Sequence, residues 1–184
     1  MTTRRRFPRE LMVVLATLGA VVIAPPAANA ADISMTYYQQ EKSNWCWVAA
    51  SKMIIKQQTG SVISQCEIYK DGKASSSCTN NTGSIADVRR ALNANGVNPG
   101  TSVTLSWNYV TSEVTLNRPI YSRIGWTAGG GHAHVIKGYY NTGYSYGVSY
   151  ADPASGTTTS REYGTYLSNS SWTQTHTLIH LYEK

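Results

Sequence analysis

A cysteine at the start of an amphipathic segment is the first residue in this chain whose type and position suit covalent chemistry. Cys46 lies within residues 45–58, a run that contains neither glycine nor proline. With Asn44 as the expected N-cap, Cys46 falls in the first helical turn, where free backbone N–H groups and the helix dipole favour an anion. A thiol there can act as a nucleophile, although a small buried residue would show the same pattern. The apolar stripe that predicts this helix consists of Cys46, Ala49, Ala50, Met53 and Ile54.

The cysteine count also bears on Cys46. The sequence contains three cysteines, and an odd number in an exported protein leaves one thiol free or bonded to another chain. Cys66 and Cys78 flank a polar stretch rich in serine and lysine, so we expect a local disulfide between them. Such a bridge would contribute about 3 kcal/mol by the chain-entropy estimate. It would leave Cys46 as the free thiol.

A cysteine nucleophile needs a general base, and the sequence offers four histidines. His176 and His180 lie in a strand-like C-terminal segment without a glycine-rich approach. His132 and His134 follow Gly129-Gly130-Gly131, which allows other backbone or a substrate to come close. Two residues apart on a strand, His132 and His134 point to the same face. Either of these two could serve as the base.

An acidic residue ends the next expected strand. Asp152, in Tyr150-Ala151-Asp152-Pro153, can lie beside the histidine strand and hold an imidazole through an Nδ1–H bond. Asp-Pro is also a common turn opener. A His-x-His pair could bind a metal, but further ligands at a suitable spacing are missing from the sequence, so we expect neither a metal nor another cofactor. The triple glycine lacks the Lys-Ser/Thr of a phosphate-binding loop.

The N-terminus has the features of an export signal. An apolar run over residues 11–24 is followed by Ala28-Asn29-Ala30, an A-x-A cleavage site. Residues 1–30 are therefore predicted to be a signal peptide, and residues 31–184 a single secreted domain. The apolar run is too short to span a membrane, so no membrane association is expected after cleavage. The signal is of the Sec or the twin-arginine type, because the run is preceded by Arg4, Arg5, Arg6 and Arg9.

Charge excludes one class of partner. The formal net charge is +6 at pH 7, but the leader carries much of this excess. The rest of the sequence has no run of lysine or arginine, so nucleic acid is not an expected partner.

The elements that must position these residues come in two groups. After the Cys46 helix, residues 64–81 are predicted to be an irregular, disulfide-pinned connection. A second helix begins at Ser84, with Asp87 completing a capping-box variant, and ends at Gly96. A short strand over residues 101–107 and a short helix over residues 108–116 follow.

The second group consists of strands. Helices first and an antiparallel sheet afterwards predict an α+β domain. The segments rich in β-branched and aromatic residues cover 120–126, 133–140, 144–151 and 175–183.

The motifs together resemble one family. Gln40, six residues before Cys46 in the Asn-Trp-Cys-Trp segment, resembles the Gln…Cys-Trp signature of papain-like cysteine peptidases. Residues 118–126 and 130–139 resemble the histidine strand of that clan, and residues 150–153 its third-residue segment. The resemblance extends from Met35 to Gly156. It is greatest to small bacterial papain-like peptidases grouped with a plant-pathogen effector protease.

The resemblance implies a fold and a set of roles. The fold is papain-like α+β, with N-terminal helices, one carrying the nucleophile at its N-terminus, packed on an antiparallel sheet or half-barrel. Cys46 would be the nucleophile, His132 the base and Asp152 the residue that orients the imidazole. Gln40 would donate to the oxyanion together with the Cys46 backbone N–H.

Two neighbours compete for these roles. His132 precedes Gly138 by six residues, which is where the base of the family falls, and His134 takes a position usually held by an aliphatic residue. Gln39 adjoins Gln40, and the six-residue spacing to Cys46 favours Gln40.

The function implied is that of a secreted, monomeric cysteine endopeptidase that hydrolyses protein or peptide substrates through a thioester. The alternatives are an amidase or a transglutaminase-type acyl transferase on the same fold, or a non-catalytic binding module. Only residues 31–39 separate the expected cleavage site from Gln40, so restraint is expected from compartment, redox state, substrate fit or a separate protein inhibitor.

Overall fold

The computed structural model describes residues 28–184, and in this part of the chain five helices pack on a seven-stranded sheet. The helices are α1 (Cys46–Thr59), α2 (Gln65–Lys73), α3 (Ile85–Ala94), α4 (Trp107–Thr115) and α5 (Tyr163–Leu167). The strands are β1 (Asn29–Asp32), β2 (Thr101–Val103), β3 (Ile120–Trp126), β4 (Gly131–Asn141), β5 (Tyr146–Asp152), β6 (Thr157–Glu162) and β7 (Trp172–Ile179).

The sheet is antiparallel at every pairing within residues 28–184. Its order is β2-β7-β3-β4-β5-β6, and β1 pairs with the far end of β4. Helices precede most of the strands in the chain and cover the sheet, so the predicted α+β class is confirmed.

The core has two parts, one on each face of the sheet, because successive strand residues point to opposite sides. On one face Tyr121, Ala133 and Val135 pack with buried residues of α1, α2 and α3. On the other face Ile120 and Ile136 pack with buried residues of α4 and α5. The first face meets the helix that carries Cys46.

The predicted Cys46 helix is confirmed, but its predicted cap is wrong. Met53 and Ile54 on the stripe are fully buried, and Gly60 ends α1 in the left-handed conformation at φ 72°. The N-cap is Trp45, which makes no side-chain capping bond. Asn44 instead donates from Nδ2 to the Asn80 carbonyl at 2.9 Å, because a long-range backbone partner is available to it.

Residues 64–81 contain a helix that the sequence interpretation missed. The Ser64 hydroxyl accepts from the Glu67 N–H at 3.1 Å and caps α2. The Ser-x-x-Glu signature at Ser64 would have predicted this start. Cys66 on α2 and Cys78 form the expected disulfide, with their Cα atoms 5.4 Å apart.

The remaining elements mostly follow the predictions. The capping box of Ser84 and Asp87 starts α3, and β3 has the predicted bounds. The helix predicted at 108–116 is α4, and the strand predicted at 101–107 stops at Val103. Strands β4, β5 and β7 lie within a few residues of their predicted bounds, whereas β1, β6 and α5 were not predicted.

Most of the predicted signal peptide, residues 1–27, lies outside the described residues, so that prediction stays a prediction. The expected cleavage point after Ala30 falls inside β1, and Asp32 at the end of this strand pairs with the Lys137 ammonium. Between residues 28 and 184 the structure has no helix long and apolar enough to cross a membrane.

Candidate active site

Residues from both parts of the chain meet in one cavity. Cys46 and Gln40 from the helical side and His132 from the sheet line a space of about 500 Å³. Asp152 does not line the cavity, but its carboxylate contacts His132. The structure therefore brings together the residues that the sequence predicted to form the site.

Cys46 is the first residue of α1 and the free thiol among the described residues. It is half-buried, whereas the neighbouring Trp45 and Trp47 are only 1% and 2% exposed. In residues 28–184 no backbone carbonyl accepts the Cys46 N–H, as expected in a first helical turn. That N–H is available to a substrate oxygen.

Hydrogen bonds to residues 78–81 hold the chain around Cys46 in place. The indole N–H groups of Trp45 and Trp47 donate to the carbonyls of Thr79 and Asn81 at 2.9 and 3.2 Å. Lys42 Nζ donates to the Cys78 carbonyl at 2.5 Å. The disulfide at Cys78 anchors this segment to α2, so the loop before Cys46 is tied to α2 through it.

Gln40 is fixed in both its backbone and its side chain. Its backbone N–H donates to the Pro153 carbonyl at 2.8 Å. Its Nε2 donates to the carbonyls of Lys42 and Ser43 at 3.0 and 2.8 Å, while its Oε1 is buried without a partner. Two carbonyl acceptors thus set the amide orientation, with both N–H groups engaged in this conformation.

A buried glutamine positions the backbone on either side of Gln40. Gln65, which is 2% exposed, donates from Nε2 to the Gln39 carbonyl at 2.7 Å and accepts from the Glu41 N–H at 3.1 Å. Gln39 itself is exposed, and its side chain donates to the Ala154 carbonyl. Gln39 does not line the cavity, whereas Gln40 does.

His132 carries the hydrogen bond expected of an oriented base. Its Nε2 lies 2.6 Å from Asp152 Oδ1, so the predicted bond exists but uses Nε2 where Nδ1 was expected. The Nδ1 atom is left for Cys46. Burial lowers the pKa of His132, but hydrogen bonds to Asp152 and Cys46 and their negative charges outweigh burial and raise the pKa to about 9.

Asp152 is held by the turn that follows β5. Its Oδ1 also accepts from the Ala154 N–H at 2.8 Å. Partial burial raises the pKa of Asp152, but the bonds from His132 and Ala154 lower it further than burial raises it, and the net pKa is below the usual value. The carboxylate is therefore ionised at neutral pH and faces the imidazole.

His134 has a different environment. It is 2% exposed, and its ring lies 4.4 Å from that of Tyr150. Burial, together with the charge of the neighbouring His132, lowers the pKa of His134 to about 3. His134 is therefore a neutral core side chain beneath His132.

A metal could only be held by His132, His134 and Asp152, whose ligand atoms lie within 4.8 Å of one another among the described residues. The 2.6 Å separation between His132 Nε2 and Asp152 Oδ1 is that of a direct hydrogen bond. Two ligands of one ion would leave a larger gap for the metal between them. These residues fit an oriented imidazole better than a metal site.

The structure adds residues to which the sequence interpretation gave no role. Trp126 stacks on His132 with ring centroids 6.0 Å apart. Tyr121 and Arg123 line the cavity from β3, and Gly83 lines it opposite. A side chain at Gly83 would collide with the Trp47 ring. The predicted strand alternation would have placed Tyr121 and Arg123 on one face, but not which face meets Cys46.

Sequence comparison agrees with this geometry. The profile of the family described as papain-like cysteine protease AvrRpt2 matches residues 27–171, a range that includes every residue lining the cavity. Among curated proteins no match is found. The matched range covers most of the chain and contains the cysteine, the histidine, the five helices and strands β1 to β6. The chain therefore belongs to the papain-like cysteine protease family of AvrRpt2.

Proposed function

We propose that this protein is an exported cysteine endopeptidase in which Cys46, His132 and Asp152 form the catalytic triad and Gln40 is an oxyanion donor. The observation that carries the proposal is the chain of contacts from Asp152 to His132 to Cys46 in a cavity open to a substrate. Family membership supports peptidase activity as such.

The attack uses a thiolate paired with an imidazolium. The Cys46 sulfur bonds to the carbonyl carbon of a peptide bond, and the carbonyl oxygen takes up the electron pair as an oxyanion. The His132 imidazolium then gives its proton to the leaving amine as the C–N bond breaks. Water, deprotonated by His132, releases the acid from the thioester and regenerates the thiolate.

The oxyanion would be bound by the Cys46 N–H and the Gln40 amide. The Gln40 Nε2 protons are engaged by two neutral carbonyls. An oxyanion is a stronger acceptor than a neutral carbonyl, so one of these N–H groups can exchange its carbonyl acceptor for the oxyanion during the reaction. Catalytic hydrogen bonds commonly form only once substrate is bound.

Export is supported by the leader-like sequence of residues 1–30 and by a disulfide compatible with an oxidising compartment. N-terminal sequencing of the protein recovered from the culture medium is expected to start at Ala31. A secreted product that still carries residues 1–30 would contradict the leader.

The activity is tested with a peptide library digested under mildly reducing conditions by the wild-type protein and by Cys46→Ala. We expect internal cleavage products with the wild type and none with the variant, and labelling of Cys46 by a thiol-directed probe. Incorporation of an added amine in place of hydrolysis would identify an acyl transferase. If neither cleavage nor labelling is observed, the protein is a binding module. Cleavage that survives Cys46→Ala would refute the triad.

A further inference from the structure

Arg123 brings into the cleft a positive charge that the proposed chemistry does not use. It lies on β3, is half-buried, and lines the same cavity as Cys46 and His132. Arg123 is opposite Ala133 in the β3–β4 pairing, so its side chain leaves the sheet on the face that meets α1. A permanent charge thus lies in the cavity that holds the proposed nucleophile and base.

This charge has no carboxylate partner in the described part of the chain. Asp32, Glu67, Asp87 and Asp152 each form ion pairs with other residues, and the Glu113 carboxylate accepts from the His180 backbone N–H. A guanidinium has five N–H donors. Within residues 28–184 one protein acceptor, the Thr175 hydroxyl, contacts the Arg123 guanidinium. The remaining donors can be satisfied only by solvent or a ligand.

The guanidinium is nevertheless held in place. Arg123 pairs with His176 and Ile124 with Gln174, so Thr175 is the extra residue of a β-bulge. Its hydroxyl accepts from Arg123 Nη1 at 3.0 Å and donates to the Arg123 carbonyl at 3.1 Å. The bulge therefore aims a hydroxyl at the arginine and limits its motion.

Gly131 provides the space that the guanidinium occupies. A Cβ atom at this position would collide with Nη2 and Cζ of Arg123 and with the Ile124 carbonyl. The glycine before His132 thus lets the arginine lie across the start of β4. A positioned, unpaired guanidinium in a cleft suits a planar anion, because arginine binds carboxylates through paired N–H bonds.

We infer that Arg123 is a specificity-determining residue that binds a carboxylate of the substrate close to the scissile bond. The carboxylate is either an Asp or Glu side chain or the C-terminal carboxylate of a short peptide. The inference rests on the proposed peptidase activity and deepens it. The cleft then selects acidic segments or peptide ends over neutral and basic ones.

The test compares pairs of fluorogenic peptides that differ only by Glu or Gln at one position, scanned over several positions on each side of the cleaved bond. A second set compares a free C-terminal acid with its amide. We expect kcat/KM to favour the acid about 10- to 100-fold at one position or at the C-terminus, as for a charge-assisted hydrogen bond. The set in which the preference appears identifies the source of the carboxylate.

Three variants test whether Arg123 causes the preference for the acidic peptide. Arg123→Gln is expected to bring the acid-to-amide ratio to about 1, and Thr175→Val to reduce it in part, because the guanidinium loses its hydroxyl. Arg89→Gln, which removes the same charge from an exposed position on α3, is expected to leave the ratio unchanged. A wild type without a preference, or an Arg123→Gln variant equally slower on every peptide, would overturn the inference.

Binding separates this inference from the peptidase proposal. Affinities of the Glu and Gln peptides for Cys46→Ala, measured by calorimetry, report the preference without turnover. Tighter binding of the acid that disappears in Cys46→Ala/Arg123→Gln supports Arg123 even if no peptide is cleaved. Equal affinities for the two peptides refute it even if cleavage is found.

Discussion

The sheet wall of the cleft, which carries His132 and Asp152, is held by backbone pairing. The helix wall, residues 40–47, is held by side chains. On the sheet wall, β4 and β5 pair along Val135–Ala151 and Ile136–Tyr150, and the ladder sets the distance between the His132 imidazole and the Asp152 carboxylate. On the helix wall, Lys42, Trp45 and Trp47 donate to carbonyls of residues 78–81.

The difference determines which substitutions reach the chemistry. A ladder of backbone hydrogen bonds does not depend on side-chain identity, so the sheet wall is expected to respond only to changes in the reacting groups themselves. The helix wall depends on a disulfide and on side chains remote in sequence. Changes far from Cys46 are therefore expected to alter the position of the Cys46 thiol.

The largest effect expected on the sheet wall comes from a matched histidine pair. His132→Phe removes the proposed base and should lower kcat/KM about 1,000-fold or more. His134→Phe keeps an aromatic ring against Tyr150 and Tyr166 and should stay within about threefold of wild type. Peptide hydrolysis measured for both variants checks this expectation. Greater loss in His134→Phe would reverse the assignment of the base.

On the helix wall, Gln40→Ala should lower kcat about 100- to 1,000-fold, because an oxyanion donor acts mainly in the transition state. Gln39→Ala, which alters an exposed neighbour outside the cavity, should change kcat less than about threefold. Steady-state kinetics of both variants give the comparison. Similar losses at the two positions would show that the loop conformation matters and the Gln40 amide does not.

Removing the disulfide should disturb one wall and spare the other. Cys66→Ser/Cys78→Ser is expected to lower the free energy of unfolding by about 3 kcal/mol, measured by denaturant titration. It should also lower kcat, because residues 78–81 lose their anchor to α2. The alkaline limb of the pH profile, which reports His132, should stay where it is; a shifted limb would mean that the two walls are coupled.

The smallest effect expected is a displacement along the pH axis. Against the lowering effect of burial, Asp152 and Cys46 together raise the pKa of His132 to about 9. Asp152→Asn keeps an acceptor for His132 but removes the carboxylate's share of this effect. The proposed attack needs the His132 imidazolium, so the wild type should lose activity as pH rises through about 9. The variant should lose it about one pH unit lower or more.

The stability of the fold is expected to fall with rising pH, as activity does. The folded pKa of His132 lies above its ordinary value of 6.5, so its pairing stabilises the fold fully below about pH 6.5, and the contribution is lost as pH rises through about 9. The stability gap between wild type and Asp152→Asn should therefore narrow between these limits. A stability gap that stays constant up to pH 10 would show that the substitution does not act through the charge of His132.

The sheet wall was the easier wall to predict from the sequence. Strand β3 has its predicted bounds because β-branched and aromatic residues end at a glycine-rich turn. The two histidines lie on one face as strand alternation requires, with ring centroids 5.1 Å apart. The different surroundings of the two rings were not predictable, because those of His134 depend on Tyr150, Tyr166 and Trp172 arriving from other elements.

On the helix wall, features set by local sequence patterns were predicted, and long-range contacts were not. The helix of Cys46 and the capping box of Ser84 are local and were predicted. Helix α2 was not predicted, because its sequence is short and polar and contains Gly72, which leaves little apolar periodicity. The partner of Asn44 is Asn80, 36 residues away, and no spacing rule connects two such loop residues.

The position at which the leader is cleaved affects the fold, because the expected cleavage point lies within strand β1. If cleavage follows Ala30, only Ala31 and Asp32 of this strand remain paired with Tyr139 and Gly138. Asp32 is the counter-ion of Lys137, which is 3% exposed. Trimming two residues further would leave a buried ammonium without its partner, at a cost of several kcal/mol. The exact point of processing would then decide whether the mature protein keeps its charge balance beneath the sheet edge.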